Sequence, residues 1–152
     1  VTKLLIQALP DLAIFGEKDY QQLLVIKRLA RDLDIPVEII GAPTIREADG
    51  LAVSSRNVFL SQTNRETASR VFELLKKTAT AIAQGNDVLV ACEEARSELI
   101  LAGFSEIDYF EARHSETLEL IQNFENSGRL FAAVWLGPTR LIDNLEIIEY
   151  KD

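Results

Sequence analysis

Two short apolar runs separated by a helix-like segment constrain the fold of this chain more than any other sequence feature. Residues 11–15 and 36–41 are each predicted to form a buried strand, bounded by glycine or proline. Residues 20–33 between them are predicted to form a helix with one apolar face, made of Leu23, Ile26, Ala30 and Leu33. Strand, helix and strand in this order predict the crossover unit of a doubly wound parallel sheet.

Two parallel strands cannot bury both of their faces, so further strands and helices are expected beside this unit. Residues 1–9 supply only the predicted end of a helix, which Pro10 stops. The fold class is therefore predicted as α/β, with residues 1–60 forming the second half of a Rossmann-like domain. The first half is expected to lie outside this sequence.

The remaining residues, 61–152, are predicted to form a small α+β domain. Ser61 is a good N-cap for a long helix over residues 62–83, and a second helix is predicted over 87–102. Three alternating segments, 106–113, 130–136 and 141–149, predict a short antiparallel sheet covered by the two helices, with a helical piece over 115–122 between the first two. The boundary near Leu60 rests on the change of pattern alone.

The charge balance limits the classes of partner. A net charge of −8 and a pI near 4.7 argue against a nucleic-acid surface, which needs a basic stripe. An anionic small molecule would have to be attracted by local positive groups, and Lys18, Arg46 and Arg56 are the candidates. Arg46, Glu47 and Asp49 could also form ion pairs that brace the loop that follows them.

The single cysteine, Cys92, cannot form an internal disulfide, which fits the cytoplasm, and it falls on a predicted apolar helix face. No apolar run is long enough for a membrane span, and no secretion signal is visible. The only histidine, His114, lies in the predicted small sheet and is interpreted as an ordinary structural residue. No cluster of residues has the spacing of metal ligands.

The segment 49–57 carries the clearest chemical signal, because Ser54, Ser55 and Arg56 stand side by side in a small-residue loop. A guanidinium fork matches phosphate oxygens, and neighbouring hydroxyls and N–H groups can complete the site. The alternative is an ordinary surface loop in which the two serines form local turns and Arg56 is solvated. Gly50 is a possible hinge if this loop closes over a ligand.

A second loop, residues 15–22, joins the first predicted strand to its helix. Lys18 stands where a helix N-terminus favours anions, although a solvated loop lysine is the alternative. Asp19 is predicted as the N-cap, with Gln22 at capping-box spacing. Glu17 would repel phosphate through its carboxylate, so any contact is expected through its backbone.

The segments 15–22, 43–50 and 54–57, taken in order, resemble the pantothenate synthetase (pantoate–beta-alanine ligase) family of the nucleotidyltransferase superfamily. The resemblance is close from about residue 10 to residue 57 and continues more loosely through residues 137–144. It implies an ATP-dependent ligase of pantothenate biosynthesis, on the coenzyme A pathway, that joins pantoate to beta-alanine through a pantoyl-adenylate.

The resemblance also implies roles for individual residues. Gln22 would bind pantoate, and Ile45 and Val53 would flank adenine through their backbones. The implied ATP-binding residues are Gly16, Glu17, Lys18, Asp19, Ile45, Val53, Ser54, Ser55 and Arg56. The implied cofactor is Mg²⁺ arriving with ATP. The implied setting is a cytoplasmic enzyme with no nucleic-acid or membrane partner, and homodimer formation is an expectation for the complete enzyme.

The family's first signature, a His-x-Gly-His type element, is absent from this sequence. The chain is therefore expected to be roughly the C-terminal half of the enzyme, to contain no catalytic side chain, and to be inactive alone. Two alternatives stay open at this point: a non-catalytic fragment or module of that ligase, and another adenylate-forming transferase that uses a different acid.

Overall fold

The computed structural model describes residues 1–148, and the end of the third alternating segment, Glu149, lies outside the described residues. Its contacts divide the chain into two units, Val1–Thr44 and Ile45–Asp152. Residues 45–60, which the sequence pattern placed in the first domain, group with the second unit. The reason is a set of long-range polar contacts that begins at Arg46 and includes its ion pair with Asp143.

The first unit contains the predicted strand, helix and strand. It consists of α1 (Thr2–Ala8), β1 (Leu12–Gly16), α2 (Tyr20–Asp32) and β2 (Glu38–Ala42). Strands β1 and β2 are parallel, with Leu12 opposite Glu38 and Gly16 opposite Ala42. The prediction of a parallel crossover unit is confirmed.

Within residues 1–148, this two-stranded sheet is covered on one face and exposed on the other. Helix α2 buries Leu23, Ile26 and Ala30, whereas Leu33, predicted on the same face, is 55% exposed because the helix has already ended at Asp32. The opposite sheet face carries Leu12 and Ile14 from β1, which are 51% and 62% exposed. Large apolar side chains on a regular strand indicate a surface that normally packs against something.

The described part of the second unit contains a 3-10 helix (Ser55–Phe59), three α-helices and an antiparallel sheet. The helices are α3 (Gln62–Ala68), α4 (Arg70–Ala83) and α5 (Val88–Leu101). The strands β3 (Glu106–Arg113), β4 (Arg129–Leu136) and β5 (Thr139–Glu146) pair in the order β3-β4-β5. The predicted small sheet and the second predicted helix, over residues 87–102, are confirmed.

The predicted single helix over 62–83 is wrong in one respect, because it is interrupted at Ser69. The Ser69 hydroxyl donates to the Glu66 carbonyl at 3.3 Å, and the Thr67 hydroxyl donates to the Thr63 carbonyl at 3.2 Å. Hydroxyl bonds of this kind compete with the backbone ladder and bend helices. The predicted N-cap at Ser61 is confirmed, since its Oγ accepts the Asn64 N–H at 3.2 Å.

The core of the second unit lies between α4, α5 and the sheet. Its largest fully buried side chains are Leu74, Leu75, Ile82, Leu99, Leu130, Val134 and Ile147. Cys92 lies in this core as predicted, and burial raises the pKa of its thiol to about 11. A thiol protonated at neutral pH is a packing group rather than a nucleophile.

The predicted helical piece over 115–122 is wrong. His114 Nδ1 accepts the backbone N–H groups of Glu116 and Thr117, at 3.2 and 3.3 Å, and so closes a turn. Leu118 then has a left-handed φ of 62°, and Arg113 donates to its carbonyl at 2.6 Å. These side-chain hydrogen bonds occupy backbone N–H and C=O groups that would otherwise form the hydrogen bonds of a helix.

Candidate functional site

The first candidate loop lies at the carboxyl end of β1. Gly16 ends the strand, residues Glu17–Asp19 form one turn of 3-10 helix, and α2 begins at Tyr20. Gln22 lies exposed in the first turn of α2, and Lys18 is half-buried. In parallel α/β sheets, ligands bind outside the carboxyl ends of the strands, where helix N-termini favour anions. The structure therefore places all five predicted residues of this segment at an edge that suits a phosphate.

Asp19 occupies the N-cap position of α2, but its side chain makes no cap hydrogen bond. The expected capping box with Gln22 is therefore wrong at the level of side chains. The cause is local, because the preceding turn is 3-10 helix and gives Asp19 a φ of −94° and a ψ of 59°, outside the extended conformation of most N-caps. Both polar side chains are exposed and remain available to a ligand.

Glu17 directs its side chain toward the second strand of the same unit. A Cβ built on Gly41 would lie 3.0 Å from Glu17 Oε1 and 2.9 Å from Leu23 Cδ2. Gly41 is thus needed for close packing of this loop on β2. The carboxylate is held against the sheet, and a nucleotide contact through the Glu17 backbone stays a prediction.

The second candidate segment, residues 45–57, begins with a tight turn in the second unit. Arg46 and Ala52 form an antiparallel bridge, and the Val53 N–H donates to the Ile45 carbonyl at 2.9 Å. Ile45 and Val53 are thereby brought together with their side chains 76% and 46% exposed. The Ile45 carbonyl and the Val53 N–H bond to each other, so an adenine contact would use the Ile45 N–H and the Val53 carbonyl.

Ser54, Ser55 and Arg56 follow this turn directly. Ser54 Oγ accepts the Arg56 backbone N–H at 3.2 Å, so the local turn expected from the alternative interpretation is present. Ser55 and Arg56 are exposed. Within residues 1–148, the Arg56 guanidinium forms no ion pair. This positive charge could therefore pair with an anionic ligand.

Arg46 was predicted from sequence either to attract an anionic ligand or to form an ion pair that braces the loop, and the structure shows an ion pair. Its guanidinium forms a bidentate ion pair with Asp143, with N–O distances of 2.6 and 3.0 Å. The Asp143 side chain is 5% exposed and that of Arg46 is 17% exposed. Its charge is neutralised inside the unit, so Arg46 serves the structure of the turn.

Asp49, in the same turn, pairs with Arg65 of α3, and this hydrogen bond lowers the pKa of the carboxyl. The carboxylate also accepts the Leu51 N–H at 3.2 Å. Gly50 has a φ of 90° and lies so close to Phe72 that an added Cβ would clash with its ring. These contacts hold Gly50 in place and do not favour the expectation that it acts as a hinge.

Sequence reasoning missed Asn57, Phe72 and Asp143 as partners of this segment. The Asn57 side chain donates to the Ala52 carbonyl at 3.1 Å, and the Phe72 ring lies under the Arg46 guanidinium. Asp143 lies in the segment 137–144, which the resemblance singled out without giving it a role. Neither Phe72 nor Asp143 stands at a spacing from Arg46 that would mark it as a partner.

The part of the chain that the structure describes contains no group of three or more His, Cys, Asp or Glu side chains placed to hold a metal ion. It also contains no helix with the length and apolar character needed to cross a bilayer. The predicted site residues fall into two sets, residues 16–22 in the first unit and residues 45–56 in the second.

A family model described as pantoate-beta-alanine ligase matches residues 1–146. The chain belongs to the pantoate–beta-alanine ligase family. Among curated proteins, a pantothenate synthetase of Mesorhizobium japonicum is 55% identical over 147 residues, which are 97% of this chain and 52% of that protein. One of Roseobacter denitrificans is 50% identical over 147 residues, again 52% of its length.

Solved structures of the ligase family agree with this assignment. Pantothenate synthetase from Thermus thermophilus matches with a TM-score of 0.90 at 41% identity, over 96% of this chain and 53% of that one. Pantoate-beta-alanine ligase from Francisella tularensis, complexed with beta-gamma ATP and beta-alanine, matches with a TM-score of 0.70 at 34% identity, over 95% and 47%. The chain thus spans about half the length of the relatives it matches.

Proposed function

We propose that this chain supplies the ATP-phosphate loops of an enzyme that ligates pantoate and beta-alanine to give pantothenate. The observation that carries the proposal is the Arg56 guanidinium, exposed and without an ion pair in residues 1–148, beside two serine hydroxyls on a braced turn. Membership of the ligase family supplies the reaction. The Francisella ligase is complexed with beta-gamma ATP and beta-alanine, which supports ATP and beta-alanine as substrates here.

The proposed chemistry proceeds in two steps. The pantoate carboxylate attacks the α-phosphorus of ATP, the bond to the β-phosphate breaks, and pyrophosphate leaves with its electron pair. The beta-alanine amine then attacks the acyl carbonyl of the pantoyl-adenylate, AMP leaves, and the amine loses its proton. The substrates provide both nucleophiles, so no side chain of this chain has to form a covalent bond.

In this proposal the residues of the chain position the triphosphate and neutralise its charge. Lys18 and Arg56 stabilise the negative charge that builds on pyrophosphate as it leaves, and hydrogen bonds from Ser54 and Ser55 orient the same oxygens. Preorganised donors aimed at developing charge are the largest contribution in many enzymes. Removal of either cation is therefore expected to slow adenylation more than amide formation.

The other predicted residues are proposed to bind the nucleoside and the acid. Asp19, whose carboxylate makes no cap bond, is suited to the ribose hydroxyls, and Gly16 and the Glu17 backbone lie beside it. Gln22 is suited to pantoate because its amide is exposed one turn further along α2. Ile45 and Val53 flank adenine with backbone groups only, so exchange for other aliphatic residues should be nearly silent.

Mg²⁺ is proposed to arrive with ATP. The described residues offer no cluster of three or more acidic or histidine ligands, so a metal held by the protein alone does not fit them. Mg²⁺ commonly keeps several waters and binds through substrate phosphates. No step of the proposal depends on a protein ligand to the ion.

A second candidate function is a non-catalytic fragment of this ligase, and the uncovered sheet face favours it. Leu12, Ile14 and Ile40 are 51%, 62% and 37% exposed on one face of the first unit. We infer that the 152-residue chain alone produces no pantothenate. Cytoplasmic location, a homodimer of the complete enzyme and the absence of a nucleic-acid partner stay predictions.

Calorimetric titration of Mg-ATP into the 152-residue chain tests the proposal. Arg56→Ala and Lys18→Ala are compared with Arg28→Ala and Lys3→Ala, which remove exposed cations away from the predicted residues. The proposal expects binding that the first two substitutions weaken and the controls leave unchanged. Binding that all four weaken equally would reflect net charge and would contradict it.

The reaction itself is tested by adding pantoate, beta-alanine and Mg-ATP and measuring AMP. The chain alone should release none, while the complete enzyme should. The identity of the acid is tested in the complete enzyme by ATP–pyrophosphate exchange. Exchange that depends on another carboxylic acid and not on pantoate would overturn the substrate assignment in favour of a different adenylate-forming transferase.

A further inference from the structure

A single guanidinium joins three parts of the second unit. Arg46 forms its bidentate pair with Asp143 of β5 and donates to the Gly50 carbonyl at 3.1 Å. Its Cζ lies 3.8 Å from the centroid of the Phe72 ring in α4, within cation–π distance. A planar guanidinium satisfies a carboxylate, a carbonyl and a ring face at once, which a lysine ammonium cannot do.

The turn held by this guanidinium leads directly into the proposed phosphate loop. Arg46 is bridged to Ala52, and the Glu47 N–H donates to the Leu51 carbonyl at 2.8 Å. The Asn57 side chain then donates to the Ala52 carbonyl at 3.1 Å. A continuous set of hydrogen bonds therefore runs from Asp143 to Asn57 and encloses the Ser54–Arg56 tripeptide.

The tripeptide begins a short 3-10 helix, Ser55–Phe59, for which Ser54 is the N-cap. At the cap, the Arg56 N–H donates to Ser54 Oγ at 3.2 Å and the Asn57 N–H donates to the Ser54 carbonyl at 3.0 Å. Ser55 and Arg56 are exposed. A single short 3-10 helix is weakly stable by itself, so its orientation depends on the turn that precedes it, which the buried pair of Arg46 with Asp143 holds.

We propose that Arg46, Phe72 and Asp143 form a clamp that fixes the conformation of residues 54–57, so that Arg56 and the two serines meet a triphosphate preorganised. The three residues of the Arg46 clamp are positioning residues, since none of them is required to touch ATP. The proposal deepens the proposed function and rests on it for the identity of the ligand. This role explains why Arg46, whose charge Asp143 already neutralises, lies beside the proposed phosphate loop.

The clamp predicts effects opposite to those of simple charge attraction. Asp143→Asn removes a negative charge near the loop, so attraction of ATP to net positive charge would strengthen binding. The clamp predicts weaker ATP binding, because the Arg46 guanidinium loses the Asp143 carboxylate that holds it in place. Arg46→Lys keeps the positive charge and would preserve attraction, whereas the clamp predicts a loss, because lysine lacks the fork and the planar stack.

The experiment measures amide hydrogen exchange of residues 54–57 in the ligand-free chain, and Mg-ATP affinity by calorimetry. The variants are Arg46→Lys and Asp143→Asn, with Phe72→Leu as a milder change that leaves the ion pair intact. Glu98→Gln is the matched control, because it breaks a different ion pair of the same unit, with Lys77 at 2.6 Å. Near-ultraviolet circular dichroism verifies that each variant is folded.

In Arg46→Lys and Asp143→Asn, the amides of residues 54–57 should exchange faster by about tenfold or more, and the affinity for ATP should fall by about tenfold. Phe72→Leu should change both quantities in the same direction by a smaller amount. The salt dependence of ATP binding should stay that of the parent in these variants, whereas it should fall in Arg56→Ala and Lys18→Ala. A purely structural role would lower the unfolding temperature without a selective change at 54–57. That outcome, or full ATP affinity in Arg46→Lys, would overturn the clamp.

The two proposals can fail separately. If the parent chain binds no Mg-ATP, the proposed function fails for this polypeptide, and the exchange measurement still decides the clamp. If the parent binds ATP and Arg56→Ala weakens it, while Arg46→Lys and Asp143→Asn leave exchange and affinity unchanged, the function stands and the clamp is wrong.

Discussion

The two candidate phosphate loops are supported very differently. The loop at Ser54–Arg56 follows a turn that its own backbone bonds close and that a buried ion pair and a cation–π contact hold to the rest of its unit. The loop at Glu17–Asp19 ends in a helix N-cap without a side-chain bond, on a two-stranded sheet with one exposed apolar face. The Ser54–Arg56 loop is held by contacts within its own unit, whereas the Glu17–Asp19 loop follows a strand of a sheet that has one exposed apolar face.

This difference teaches which part of the nucleotide site the chain can determine by itself. A preorganised donor is effective because its orientation is settled before the ligand arrives. The described residues meet this condition around Arg56. Around Lys18, order depends on whatever covers the apolar face of β1 and β2, so the first loop is expected to gain rigidity when that face is packed.

The largest expected effect contrasts the cores of the two units. Leu75 is fully buried in the second unit, so Leu75→Ala should lower the free energy of unfolding by about 2 to 5 kcal/mol. Leu12 is 51% exposed on the uncovered face, so Leu12→Ala should change it by less than about 0.5 kcal/mol. Urea unfolding measures both, and a large cost at Leu12 would show that the face is covered in solution.

A second contrast concerns two glycines in left-handed conformation. Gly85→Ala should cost about 1 to 2 kcal/mol, because φ is 96° and nothing lies within 4 Å of an added Cβ. Gly50→Ala should cost about 2 to 4 kcal/mol, because φ is 90° and the Phe72 ring must also move. Thermal unfolding compares them. Equal costs would mean that the turn beside Arg56 is loosely packed.

The helix caps give the third prediction. Ser61→Ala should destabilise the second unit by about 1 kcal/mol, because its Oγ caps α3. Asp19→Ala should leave stability nearly unchanged, because no cap bond is lost, and should weaken Mg-ATP binding. Chemical denaturation and calorimetry measure the two effects. A stability loss at Asp19 as large as that at Ser61 would contradict the contrast between the loops.

The smallest expected effect depends on pH. The hydrogen bond from Arg65 lowers the pKa of Asp49 below its unfolded value of about 3.9, so the pair stabilises the fold above that pH and the contribution is lost as pH falls through the folded pKa. Both side chains are partly exposed, so less than about 1 kcal/mol is expected. Urea midpoints of the parent and Asp49→Asn should therefore converge below about pH 4. A constant difference would show that the pair does not titrate.

The sequence by itself determined the parallel strand–helix–strand unit, the antiparallel sheet and the cap at Ser61. Each depends on residues close together in the chain, namely apolar periodicity, glycine and proline at element ends, and a hydroxyl three residues before the N–H it accepts. The serines and Arg56 were also found from sequence, because a phosphate loop is a local pattern of donors. Their roles toward ATP remain predictions.

Tertiary structure alone decided which carboxylate Arg46 pairs with. Its partner Asp143 lies 97 residues away, and nothing in the local sequence distinguishes an arginine that will be buried from one that will be solvated. The helix interruption at Ser69 and the turn closed by His114 were missed for a related reason, since side-chain bonds to the backbone compete with helix propensity at those points. Periodicity fixes which face of an element is apolar, whereas the pairing of a charge is fixed only when packing removes it from water.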